Sequence, residues 1–216
     1  MNVKKEHDSD KKYHEYIAKL VLEYCFPYEF IDLHQGEKPD LRIDNSKGVE
    51  VTRVMSTSEG EMSFLFKLVE KKKEEDSNTK ILRDIRKLGY NLLVHPSTGE
   101  FCGYGPTEAR WEDYKDVQRV FSEKLDKLEH YTEHTDLFIF SPSAGWYEEN
   151  EIKEIHEFMI QQQTEKDKKF ECAYIFDYRS LYKCDLERKT ISRVIIDDIV
   201  IRDIIECAFE KYYTRI

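Results

Sequence analysis

The sequence predicts a mixed α/β fold, a central sheet flanked by helices. Three observations predict it. Segments with helical spacing of apolar residues alternate along the chain with short strand-like runs. One of those runs, Leu137-Phe-Ile-Phe140, is apolar throughout, as expected of a strand covered on both faces. The chain of 216 residues is also long enough to bury a core without disulfide staples.

The elements follow in order. Tyr13, Ile17, Leu20, Val21 and Tyr24 predict a helix from about Asp10 to Tyr24, with Ser9 or Asp10 as its cap and Pro27 beyond its end. A polar loop is expected over Asp32 to Lys38. Leu41 and Ile43 alternate with Asp40, Arg42 and Asp44; Asn45-Ser-Lys-Gly48 is a turn cluster; Val49 and Val51 then alternate with Glu50 and Thr52. These features predict two strands in an antiparallel hairpin. Ser58-x-x-Glu61 has the form of a capping box before a second helix carrying Met62, Leu65, Phe66 and Val69. Another helical turn or two is expected around Ile81 to Leu88, and a short strand over Asn91 to Val94. Pro96 to Pro106 is rich in turn residues and reads as irregular. Val117, Phe121, Leu125 and Leu128 predict a helix from about Trp111 to Tyr131. After the apolar strand and a turn at Pro142 to Gly145, a helix is expected over Glu148 to Gln163, with acidic residues at its positive end. A strand over Ala173 to Phe176, a hairpin of Leu181–Leu186 with Ile191–Ile196, and a helix over Asp198 to Tyr213 complete the chain. The expected organisation is a single domain with an insertion around residues 77–131 and a C-terminal elaboration.

Composition excludes several classes. No stretch approaches the ~20 apolar residues of a membrane span, so no membrane partner is expected. The charged start, Met1 to Lys12, lacks the apolar region of a secretory leader. Five scattered cysteines with no C-x-x-C pair indicate neither a zinc ribbon nor a disulfide framework, and a cytoplasmic location is expected. The net charge of −10 argues against a protein that simply coats nucleic acid, though not against one that grips it with a local basic face. Lys67 to Lys87 supplies such a stretch, with eight cations against five acids.

The segment from Lys38 to Arg53 carries the most chemistry. It places Asp40 at the entry of one strand and Glu50 in the middle of the next. In a twisted hairpin these carboxylates can converge, and a divalent cation relieves their mutual repulsion. Mg²⁺ (with Mn²⁺ as a substitute) suits oxygen ligands while keeping waters for chemistry.

Pro39-Asp40, a gap, then Glu50-Val51-Thr52, on adjacent strands between two helices, resembles the motif of the PD-(D/E)XK nucleases, the restriction-endonuclease-like fold. The resemblance covers roughly the first third of the chain, and the Leu137–Phe140 strand would complete the family's core sheet after a long inserted segment. It implies a Mg²⁺-dependent nuclease that hydrolyses phosphodiester bonds, with DNA as the expected substrate and a homodimer as an expected assembly. Asp40 and Glu50 would be metal ligands, with the Val51 backbone carbonyl beside them. The acidic residue that the family's first helix often supplies would be Glu15, with Glu23 as its rival. The sequence departs from the family at Thr52, which stands where the motif has lysine. The resemblance leaves Lys67, in the following helix, or Lys47 to supply the missing charge, while strand alternation turns Arg53 away. If neither does so, the resemblance implies instead a catalytically inactive relative that binds nucleic acid or acts as an assembly subunit.

Overall fold

The computed structural model describes residues 3–54, 57–106, 114–141 and 147–213. The chain divides into two compact units, Met1–Val54 with Asp113–Ile216, and Met55–Glu112.

In the larger unit a seven-stranded sheet is assembled from β1 (His34–Gln35), β2 (Leu41–Arg42), β3 (Lys47–Arg53), β6 (His134–Phe140), β7 (Cys172–Phe176), β8 (Ser180–Asp185) and β9 (Thr190–Ile195), in that spatial order. The first three strands are antiparallel, with Leu41 opposite Val49. β3, β6 and β7 are parallel, and Glu50 lies opposite Leu137. β8 and β9 return as antiparallel neighbours.

Parallel pairing requires a crossover that covers a face of the sheet. Helix α4 (Tyr114–Leu125) lies in the connection before β6, and α5 (Glu149–Gln162) joins β6 to β7. Val117, Phe121 and Leu125 of α4 pack with Ile152, Ile155 and Met159 of α5 against Val54, Leu137 and Ile139. The opposite face holds α1 (Val3–Cys25) and α6 (Asp198–Tyr213). There Ile17, Val21 and Leu22 meet Val49, Val51, Phe138 and Phe140. The side chains of β6 thus alternate between two cores, which explains its unbroken apolar run.

The smaller unit contains α2 (Thr57–Lys67), α3 (Thr79–Lys87) and a hairpin of β4 (Tyr90–Val94) with β5 (Phe101–Pro106). Met62, Val69, Leu82, Ile85, Tyr90 and Phe101 form its core. Asn78 caps α3 by accepting the Lys80 N–H at 2.9 Å.

Several expectations are corrected. The inserted unit is 55–112, not 77–131, because the apolar stripe of α4 is covered by β6 and α5 and so belongs to the larger unit. Helix α1 begins well before Asp10, since Lys4, Lys5 and Glu6 contain no breaker. Residues 101–106, read as irregular, form β5. Gly103 and Gly105 disguise the alternation, while Phe101 and Tyr104 pack into the core of the smaller unit. β1 lies in a stretch read as a loop; two residues held by backbone pairing leave no side-chain pattern. The side chains of Ser9, Asp10 and Ser58, the residues around Trp111 and the turn from Pro142 to Gly145 lie outside the described residues. Among the described residues, no helix is long and apolar enough to cross a membrane.

Candidate functional site

Glu50 and Thr52 share one face of β3, with Val54 on the α4–α5 side, whereas Val49 and Val51 face α1 and α6. Asp40 precedes β2 and lies at the edge of β3. Its Oδ2 accepts the Val51 N–H at 2.9 Å. The N–H and C=O of one strand residue point to the same side, so the Val51 carbonyl is directed to that edge too. Asp40 is 1% exposed, Glu15 4% and Glu50 5%, so three acids are buried.

Two lysines answer this concentration of negative charge. Lys11 Nζ lies 2.7 Å from Asp40 Oδ1 and 3.4 Å from Glu15 Oε1, one helical turn before Glu15 on α1. Gln35 on β1 donates its side-chain amide to Glu15 Oε2 at 3.3 Å. Lys124 of α4 donates to Glu50 Oε1 at 2.6 Å, and the Tyr131 hydroxyl donates to the same oxygen at 2.9 Å. The second carboxylate oxygen, Glu50 Oε2, is buried without a hydrogen-bond partner.

The electrostatics follow from these contacts. Burial and then the neighbouring Asp40 carboxylate push Glu15 up to about 7, against the opposing pull of Lys11. Burial and Asp40 likewise raise Glu50, while Lys124 and Tyr131 pull it down. Burial disfavours the Lys11 ammonium, but the hydrogen bonds and charges of Asp40 and Glu15 outweigh it and hold that proton tightly. Asp40 therefore influences Glu15 and Glu50 together.

The structure places the residues expected from the sequence as follows. Asp40 accepts the Val51 N–H and shares Lys11 with Glu15 on the α1 side, while Glu50 pairs with Lys124 and Tyr131 on the α4 side of β3. Thr52 is half-buried on the Glu50 face of β3. Lys67 is exposed at the end of α2 in the smaller unit; among the described residues of the larger unit, Lys11 and Lys124 touch the acids. Glu23, the rival of Glu15, pairs with Lys19 along α1, and Lys47 lies 4.0 Å from Glu171. Sequence reasoning missed Lys11, Gln35, Lys124 and Tyr131. Lys11 stands four residues before Glu15, a helical-neighbour spacing that could have flagged it. Lys124 and Tyr131 carry no such local signal, because only the packing of α4 and of the turn after it beside the sheet brings them to Glu50.

Several further features have ordinary structural uses. His134 opens β6 and pairs with Glu171, while His130 ends a separate helical turn, so they share no helix face. Tyr178 packs against Phe140 and Phe176. Ser141 hydrogen-bonds the Tyr147 hydroxyl at 2.5 Å.

The donor set suits a hard cation in kind. It comprises carboxylate oxygens, a carbonyl at the same strand edge and a buried carboxylate oxygen with no partner. Among the described residues no three acidic, His or Cys side chains already converge into a cage for an ion. Mg²⁺ is commonly held by one or two carboxylates, with waters and substrate phosphate completing its shell; here both Asp40 oxygens already have protein partners, and Glu50 Oε2 is a carboxylate oxygen without one. Compared with known proteins, the chain matches no family model, no curated protein and no solved structure.

Proposed function

We propose that this chain is a Mg²⁺-dependent nuclease that hydrolyses phosphodiester bonds, with DNA as the substrate to test first. The observation that carries the reading is the position of Asp40: buried at the edge of β3, bonded to the Val51 N–H, and close enough to Glu15 and Glu50 to raise both. Asp40, Glu50 and the Val51 carbonyl would hold the cation. When bound, it would supply Lewis-acid polarisation of the scissile phosphate and a more acidic water.

The chain's own residues would do the rest. Lys11 and Lys124 bring the positive charge that Thr52 cannot, and each is anchored by a carboxylate. Fixed cations of this kind stabilise charge developing on a phosphate. Glu15, pushed up to about 7, can exchange a proton near neutral pH. The Thr52 hydroxyl can donate a hydrogen bond toward phosphate from the Glu50 face. The test is cleavage of single- and double-stranded DNA and RNA with Mg²⁺ or Mn²⁺, with and without chelator. Asp40→Ala and Glu50→Ala should each abolish cleavage while the fold survives, and an unchanged rate in both would remove the assignment.

A second reading draws on the two ammonium–carboxylate pairs. Lys11 with Asp40, and Lys124 with Glu50, already balance charge within the protein, as in a structural ion-pair network. A catalytically silent nucleic-acid-binding relative would retain salt-sensitive binding and show no cleavage with either metal.

A further inference from the structure

The residues on either side of Asp40, Pro39 and Leu41, lie close against β3 at Gly48, two residues before Glu50. A β-carbon built on Gly48 would stand 2.5 Å from the carbonyl oxygen of Leu41, and closer still to Cγ of Pro39, where 3.4–4 Å is ordinary contact. The first obstacle is backbone and the second a rigid ring, so neither can swing aside as a flexible side chain would. Gly36 guards the opposite side. Its N–H donates to the Asp40 carbonyl at 2.8 Å, and a β-carbon there would lie 2.9 Å from the Pro39 carbonyl oxygen and 3.1 Å from Cγ of Arg42.

We propose that Gly48, supported by Gly36, is the positioning residue of the acidic site: the volume of its missing side chain lets Pro39–Asp40–Leu41 lie on β3, so that the Asp40 carboxylate meets the Val51 N–H. Restoring ordinary contact at Gly48 requires a displacement of about 1 Å, which would carry the 2.9 Å bond between Val51 and Asp40 Oδ2 beyond hydrogen-bond range. The consequence for catalysis rests on the nuclease reading, in which a misplacement of that size costs about 100-fold in rate. The geometric claim does not depend on it.

The test compares Gly48→Ala, Gly36→Ala, Asp40→Ala and a control, Gly105→Ala, where a β-carbon meets nothing within 4 Å. Residue-resolved amide hydrogen exchange is followed at Val51 and at Val54, whose N–H donates to the Phe140 carbonyl at 2.8 Å. In Gly48→Ala, as in Asp40→Ala, Val51 should exchange at least about tenfold faster than in the unmodified protein while Val54 keeps its protection. Gly36→Ala should shift Val51 in the same direction by less, and it decides the matter if Gly48→Ala does not fold. Gly105→Ala should change neither amide. A protected Val51 in folded Gly48→Ala, or equal acceleration of Val51 and Val54, would overturn the proposal, since equal acceleration reports general destabilisation. If Val51 responds as expected but the unmodified protein cleaves nothing, the positioning role stands and the nuclease reading falls.

Discussion

Lys124 holds its ammonium 2.6 Å from Oε1 of Glu50, a partner 74 residues earlier in the chain. Tyr131 donates to the same oxygen, leaving Oε2 buried and unpartnered. A carboxylate with both donors on one oxygen is half-satisfied, and the unused oxygen is the costly one to bury. Two roles fit this asymmetry: holding a ligand, and anchoring α4 beside β3.

The anchoring role can be measured alone. Lys124→Met should raise the proton affinity of Glu50 further, because Lys124 is one of the groups that lower it. It should also destabilise the fold by roughly 1.5–3 kcal/mol, the scale of a hydrogen bond to a charged group. Denaturant titration of Lys124→Met, Glu50→Gln and the double variant gives the coupling. Additive losses would show that the 2.6 Å contact contributes nothing to stability.

Much of the fold was legible because its signals are local. The run Leu137–Phe140 announced a doubly covered strand, and the C-terminal helix has the expected bounds, Asp198–Tyr213. The placement of the acids follows local signals too: Asp40 immediately precedes β2, Glu50 lies on the adjacent β3, and Glu15 sits on the helix before them. The cationic half of the site was not legible. The helix that follows β3 in sequence is α2, which led to Lys67, whereas the helix packed with Val54, Leu137 and Ile139 is α4, which carries Lys124. Sequence order and spatial order part company because a separately cored unit, 55–112, interrupts the connection. No helical or strand periodicity in the sequence marks such an interruption.

The basic stretch of that unit yields a prediction about binding. Lys80, Arg83 and Lys87 follow helical spacing on α3 and are exposed, opposite the buried Leu82 and Ile85. If this face tracks a phosphate backbone, Lys80→Glu with Arg83→Glu should weaken DNA binding. The variant should also flatten the plot of log affinity against log salt by about 0.9 for each duplex phosphate it no longer neutralises. A slope equal to that of the unmodified protein would place the contact surface elsewhere.

The two-faced core predicts a sharp contrast between aromatic sites. Phe138 is fully buried and meets Phe140 and Phe176 at ring-centroid distances of 5.0 and 5.9 Å. Phe138→Ala should cost roughly 3–5 kcal/mol in denaturant unfolding, from reduced burial and the cavity left behind. Tyr28, at 97% exposure, has little to lose, and Tyr28→Ala should stay within about 0.5 kcal/mol of the unmodified protein. Similar costs at both sites would contradict the assignment of β6 to the centre of the sheet.

Asp136, the third residue of β6, gives the clearest dependence on pH. It is 2% exposed, and its Oδ1 accepts the Cys172 N–H at 2.9 Å. Burial pushes it from the usual 3.8 up to about 7; Lys47, the Cys172 N–H and Lys183 pull it down, and the Glu171 carboxylate adds to the rise. Between those two values the folded protein keeps a proton that the unfolded chain has released. Stability from this group is therefore whole below about pH 4 and is lost as the pH climbs toward 7. Glu15 is raised in the same direction, so the unmodified protein alone cannot isolate Asp136. Asp136→Asn can, because the amide oxygen still accepts the Cys172 N–H and carries no charge. The stability difference should move in favour of Asp136→Asn by up to about 1.4 kcal/mol per pH unit across that window. It is read from urea unfolding at pH 4, 5, 6, 7 and 8, and parallel profiles for the two proteins would show that Asp136 ionises in the fold as freely as in water.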